Sequence, residues 1–421
     1  MRITANSAIT SAPSQSASGI RQFGPLTWIA LGTFATGTES FMIAALLPGL
    51  ASDLSVTLTA AGQLVTVFSL TYAVSSPALS ALTAGVGRRN LLLISMTAFA
   101  LANFFASTAT DFWQLFAARI LLAAAAGLYV PSASALAGTI VAPERRGTAL
   151  AIVNGGTSIA VALGVPIGAM VGQTLGWRMT FVGVGIMAAI AVAGLLFGIP
   201  RGIDRGLSAP SIRERLAVIR QVPLLVGFVV TMIWATGAYT VYTYFTPYLT
   251  TVIRLDAAHV GIAFFVWGVS AAIGLFLGGT LSDRFGPRAV MIPSFAFLAL
   301  AFAGLSAIGV WLSGKSAVGL ATAAIAIWGL AAWGFFPAQQ SRLMQLAGSK
   351  TAPIALSLNA SFMYLGFSLG AMLGSLVLIN APVTTLGLIG AVCEIGAVLI
   401  VLATVPSSQA APLKPEVEPR R

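Results

Sequence analysis

The chain has 421 residues, of which 57% are hydrophobic and only 8% charged, with a formal net charge of +11. A soluble globular chain carries roughly 25% charged residues, so this composition excludes a water-solvated fold and makes lipid the solvent for most of the surface. One cysteine, Cys393, and one histidine, His259, exclude an internal disulfide and a cysteine or multi-histidine metal site.

Residues 1–24 are rich in Ser and Ala without a compact apolar core, and are expected to form a disordered tail, not a cleaved signal. Beyond them, charges divide the chain into apolar runs. A spanning helix needs about 20 apolar residues, because the hydrocarbon core is about 30 Å thick. The spacing predicts spans near 25–48, 62–84, 91–110, 112–140, 148–174, 178–199, 223–251, 259–281, 289–311, 317–342, 353–379 and 383–405, twelve in all. The uncharged run 351–393 is too long for one span, and Asn380-Ala-Pro382 supplies a turn inside it. These spans form two six-helix bundles, 25–200 and 223–405, joined by a linker at 201–222. Ile212, Leu216 and Ile219 in the linker are spaced for a short amphipathic helix lying on the membrane face. Residues 406–421, with four prolines, make a second tail.

Eighteen of the 22 Lys and Arg residues fall in the tails and in alternate links. Only Arg178, Arg254 and Lys315 occupy the other links, and Arg119 lies within a span. This asymmetry places both termini in the cytoplasm. It also explains the positive charge by topology, without nucleic acid. No Gly-x-x-x-x-Gly-Lys-Ser/Thr segment is present, so ATP bound by such a loop does not drive the chain.

The two bundles are copies. Gly278-Gly-Thr-Leu-Ser-Asp-Arg-Phe-Gly-Pro-Arg288 has a degraded twin in Ser80-Ala-Leu-Thr-Ala-Gly-Val-Gly-Arg-Arg89, with Gly286 on Gly87 and Arg288 on Arg89. Gly168-Ala-Met-Val-Gly172 recurs as Gly370-Ala-Met-Leu-Gly374, and Ala149-Leu with Asn154 as Ala355-Leu with Asn359. A duplicated all-α membrane bundle is the architecture of secondary transporters, whose substrate site lies between the repeats.

On these residues the chain resembles the major facilitator superfamily, in its twelve-helix drug:proton antiporter group, over about residues 25–405. Gly279-x-Leu-Ser-Asp-Arg-x-Gly-x-Arg288 is similar to the family's loop signature. Arg119, after Asp111-Phe-Trp-Gln-Leu-Phe and before Gly127, is similar to its fourth-span signature. Gly156, Gly164, Pro166, Gly168 and Gly172 are similar to its fifth-span antiporter motif, without the usual Gly-Pro-x-x-Gly-Gly ending. Leu163-Gly-Val-Pro-Ile-Gly168, with Glu39 seven residues before Leu46-Leu-Pro48, resembles the arabinose- and chloramphenicol-efflux branch. The resemblance implies an integral protein of the bacterial inner membrane, monomeric, without a cofactor, that exports a small organic molecule in exchange for protons. It also implies a cytoplasmic gate of Asp283, Arg284, Gly286, Arg288, Arg88 and Arg89, with Asp283 meeting Arg146-Gly-Thr148. The first copy departs from the pattern, because Ala84 stands where the family has aspartate and Gly85 where it has arginine.

An ionisable residue within a span costs about 2.5–3.5 kcal/mol on insertion scales and so needs a reason. Glu39, Arg119 and Glu394 are the three here. Counted along their spans at 1.5 Å per residue, Glu39 and Arg119 reach a similar depth, about 10 Å from one boundary. They read either as a proton-coupling pair or as a permanent structural ion pair. Glu394 reads as a helix–helix hydrogen bond or a simply protonated acid, and His259 as a loop bystander. The small residues of the fifth span, Gly156, Ala160, Gly164, Gly168 and Gly172, recur every four residues, a flat stripe for close backbone approach and a candidate sliding surface between the halves, with Pro166 permitting a bend. Tyr239, Tyr242, Asn154 and Asn359 are the candidates for the substrate cavity, since Tyr and Asn pair flat apolar area with hydrogen bonds. Export by proton antiport is the leading expectation. Alternatives are a sugar or nucleoside facilitator or importer and, remotely, a membrane enzyme or pore; a lone histidine and three buried charges argue against the last two.

Overall fold

The structure, a computed structural model, describes residues 15–142, 145–200, 211–312 and 315–404, nearly all of them helical. With no water in the hydrocarbon layer, the backbone satisfies its own polar groups in helices. The order is α1 (Gln15–Asp53), α2 (Leu58–Leu82), α3 (Arg88–Ser107), α4 (Phe112–Ile140), α5 (Arg146–Ile159), a π turn (Ala160–Gly164), α6 (Val165–Thr174) and α7 (Trp177–Gly198). Then follow α8 (Ile212–Ile219), α9 (Val222–Tyr242), α10 (Phe245–Thr251), α11 (Ala257–Phe285), α12 (Pro287–Trp311), α13 (Lys315–Asn380) and α14 (Thr385–Thr404). The helix starts follow side-chain chemistry. Asp111 accepts the backbone N–H groups of Trp113 and Gln114 at α4, and Asp256 accepts that of His259 at α11. Ser211 and Glu214 form a reciprocal capping box at α8, and the Ser211 donors hold the Glu214 carboxyl below its ordinary range.

Three elements are interrupted, each for a local reason. Pro166 has no N–H to close the preceding turn, and the chain widens into the π turn just before it. The seventh crossing breaks between α9 and α10 at Thr243-Tyr244. α13 passes through non-helical geometry at Gly348, where φ is +69°. Thr231 hydrogen-bonds both Gln339 and Asn359, so the two limbs of α13 lie side by side as separate crossings. Among the described residues that makes twelve crossings, six in each half, as the run lengths predict. α1 begins at Gln15, earlier than the expected end of the tail. The rest of that tail, residues 201–210 of the linker and the tail 406–421 lie outside the described residues.

Among the described residues the basic links lie at one end of the bundle, where Arg89 bonds Ile199 O and Leu196 O, and the links carrying Arg178, paired with Asp53, and Arg254 lie at the other. The halves meet toward the arginine-poor end. Tyr242 Oη donates to Phe41 O at 2.9 Å and Thr246 Oγ1 to Ala44 O at 3.0 Å. Ser375 and Ser368 of α13 donate to Thr59 O and Thr66 O of α2. A Cβ built on Gly268 of α11 would lie 2.4 Å from Val161 O in the π turn, a backbone-to-backbone crossing. α11 packs on the π turn and α6, beyond α5. At the other end Arg145 through Thr148 and Asp283 are exposed, and the halves part.

One expectation is corrected here. The glycine stripe does not slide between the halves: Cβ atoms at Gly156, Gly164 and Gly172 would strike Thr33, Thr38 and Leu46 of α1, a neighbour in the same half. Side chains on α1 fill the space that the glycines leave. The linker helix α8 docks on the C-terminal half by a face other than Ile212 and Leu216. Val218 is buried with Leu224, Phe228, Leu343 and Ile354 of the C-terminal half, and Arg215 bonds Ser357, while Ile212 and Leu216 stay exposed.

Candidate functional site

α1 and α4 bring Glu39 and Arg119 together at the heart of the N-terminal half. Arg119 Nη1 donates to Glu39 Oε1 at 2.5 Å, and both side chains are 0% exposed. A second helix holds the guanidinium in place: Nε donates to Leu64 O of α2 at 3.1 Å, and the Phe68 ring lies 4.1 Å beneath it. Removing two charges from water costs several kcal/mol each, repaid only when every remaining lone pair and proton is used. Here that condition fails. Glu39 Oε2 and Arg119 Nη2 are buried and have no protein partner.

Aromatic side chains wall this pair off where the halves meet. Tyr239 stacks on Phe367 at 3.6 Å between centroids, and Tyr72 of α2 on Tyr364 of α13 at 3.7 Å. Tyr364 Oη donates to Ser40 Oγ at 3.3 Å, one residue from Glu39. Phe41 sits within 6.3 Å of the rings of Tyr239, Tyr242, Trp333 and Phe367. The Tyr239 hydroxyl is buried without a partner, a third unused polar atom beside the pair's two.

Of the four cavity candidates, the structure brings only Tyr239 and Tyr242 together, with their rings 5.3 Å apart. Tyr242 is tied to the Phe41 carbonyl and holds the halves together. Asn359 is committed to packing: its Oδ1 accepts from Thr231 at 2.7 Å, beside Gln339. Asn154 is exposed on α5, away from that bond. Residue spacing missed Phe41, Tyr72 and Phe367. A signal for the α1–α9 equivalence was present, since Ala35-Thr-Gly-Thr-Glu-Ser40 recurs as Ala235-Thr-Gly-Ala-Tyr-Thr240. That offset makes Tyr239 the counterpart of Glu39.

The gate residues are spread out. Gly286 takes φ +83°, the left-handed turn its motif requires, whereas its twin Gly87 has φ −58°. Arg89 donates to Ile199 O and Leu196 O at 2.7 and 2.9 Å, fastening the end of α7. Asp283 takes part in no ion pair among the described residues, neither with Arg284 nor with the start of α5. Arg284 lies over Phe285. Glu394 is fully buried, and the helix–helix hydrogen bond expected of it is absent: neither carboxyl oxygen has a partner.

The chain matches the family model described as Major Facilitator Superfamily over residues 29–371 and again over 258–420, an overlap that reflects its duplication. It is 30% identical over 387 residues to the MFS-type transporter YbcL of Bacillus subtilis (strain 168), covering 90% of this chain and 97% of that one. It is 33% identical over 262 residues to a chloramphenicol resistance protein of Streptomyces lividans, covering 62% and 67%. The fold also matches the crystal structure of the nucleoside transporter NupG (D323A mutant), with a TM-score of 0.71 at 15% identity over 91% of this chain and 100% of that one. A duplicated twelve-crossing bundle, a buried acid–base pair beside the junction of the halves, and a family match across the whole bundle agree: the chain belongs to the Major Facilitator Superfamily and is a membrane transporter, not an enzyme.

Proposed function

We propose that the protein exports a small organic molecule across the bacterial inner membrane in exchange for protons, with Glu39 as the coupling carboxyl. The observation that carries this reading is the incomplete ion pair, buried yet with Glu39 Oε2 and Arg119 Nη2 unused. A finished structural pair would have spent those atoms. A proton on Glu39 cancels the attraction to Arg119 and frees the guanidinium. A substrate carrying a hydrogen-bond donor and acceptor competes for the same atoms, with the Tyr239 and Phe367 rings beside it. The arginine-rich end is then cytoplasmic, and the parted halves face inward. The likeness to a chloramphenicol resistance protein makes a neutral aromatic amide alcohol the first substrate to try.

The test uses everted membrane vesicles with an imposed pH gradient. Adding chloramphenicol should collapse part of the gradient in wild type and not in Glu39→Gln. Undiminished proton flux in Glu39→Gln would remove Glu39 from coupling.

A further inference from the structure

Glu394 lies outside the site above, on the last helix. Its surroundings are built around it. A Cβ added to Gly237 of α9 would lie 2.7 Å from Glu394 Oε1, and Gly390 presses its own backbone against Gly237. The two glycines make room where any side chain would displace the carboxyl. Facing it, α9 contributes no charged residue, and α12 contributes only Arg288 in its first turn. Cys393 adjoins it on its own helix, while Tyr239 and Tyr242 of α9 turn into the aromatic cluster around Phe41 and Phe367. A carboxylate without a cation or a donor does not persist at zero exposure; such a group neutralises by taking up a proton. In this state Glu394 is therefore a carboxylic acid.

Along the same face of α14, toward the arginine-poor end, comes Gly387. It lines a small, partly open cavity of about 10 Å³ with Tyr244, Tyr248, Ser306, Val383 and Thr384. That volume approaches the space one water needs, and Ser306 and Tyr248, whose hydroxyls already donate to Thr384 O and Leu305 O, leave oxygen lone pairs to accept from it. Seven residues of helix separate Gly387 from Glu394, about 10 Å.

We propose that Glu394 is a second proton-binding carboxyl, in the C-terminal half, reached from the arginine-poor face along the seam between α9, α12 and α14. The step is simple: hydronium gives its proton to a carboxylate oxygen and leaves as water. It does not depend on Glu39 being the coupling acid.

Dicyclohexylcarbodiimide, which modifies protonated carboxyls in apolar surroundings, tests this on the full chain in membranes. Spheroplasts and everted vesicles each expose one face, identified by impermeant maleimide at Arg254→Cys. Bath pH is varied at clamped internal pH, and the modified peptide is found by mass spectrometry. Wild type and Glu39→Gln should both be modified at Glu394, and Glu394→Gln should lose that product. Modification should fall as pH rises on the arginine-poor face only. Val383→Phe, which fills the cavity, should slow it without slowing any reaction at Glu39. No product at Glu394, a yield independent of pH, or one that follows the arginine-rich face would each overturn the proposal.

Discussion

At the scale of single residues, the fate of an ionisable side chain in a helix of this protein depends on its partners. Arg119 has a carboxylate, a carbonyl and an aromatic face; Glu394 has none of these. Sequence placed Glu39 and Arg119 at one depth, because rise per residue is constant along a helix. It missed the unused atoms on each, because those depend on side-chain rotation. The pair predicts an asymmetry between two substitutions. Glu39→Ala leaves a buried guanidinium uncompensated, which costs about 3–5 kcal/mol. Glu39→Gln keeps an oxygen to accept from Arg119 Nη1 and should lower the melting temperature in detergent much less. Equal losses would mean that Arg119 finds another partner and that the ion pair does not hold α1 to α4.

Among elements, the glycines decide which helices touch. α11 crosses the first limb of α13 so closely that a Cβ at Gly274 would lie 2.2 Å from Leu330 O, and one at Gly278 would lie 2.1 Å from Gly334 O. Backbone stands on the far side of both, so no rotamer change relieves the overlap. Gly278→Ala is expected to cost about 1–3 kcal/mol, read as a lower melting temperature, whereas a Cβ at Gly279 would meet only Pro337 Cβ at 3.9 Å, an ordinary contact, and Gly279→Ala should be neutral. If the two behave alike, this crossing is looser than described. The stripe Gly156, Gly164, Gly168 and Gly172 was legible as a close-packing surface from its four-residue period. Its partner was not, because small residues announce a neighbour without naming it. α8 shows the same limit: its apolar spacing was correct, yet Val218 and Arg215, not Ile212 and Leu216, became the docked face.

For the whole molecule, closure at one end and parting at the other follow from where the halves bond. Tyr242 and Thr246 reach α1 carbonyls, and Gly261 stands against Met170, whose Cγ would lie 3.2 Å from an added Cβ. A cysteine pair at Met170 and Gly261, in a Cys393→Ser background, should oxidise readily to a disulfide. That cross-link should stop transport, and reductant should restore it. Transport that continues through the cross-link would show that this end need not open. Asp283 is exposed and makes no ion pair with the start of α5 among the described residues in this arrangement.

Sequence alone determined the solvent, the number of crossings, the duplication and the identity of Glu39, Arg119 and Glu394 as the ionisable residues deep within spans. Each of these depends on counts and spacings along the chain, which a helix converts directly into length and depth. Tertiary structure decided which faces meet: that the glycine stripe serves α1, that Asn359 is spent on Thr231, that Tyr242 ties the halves together, and that Glu394 stands without a partner. Those outcomes depend on which helices become neighbours, and in lipid every face of a helix is apolar enough to have been chosen.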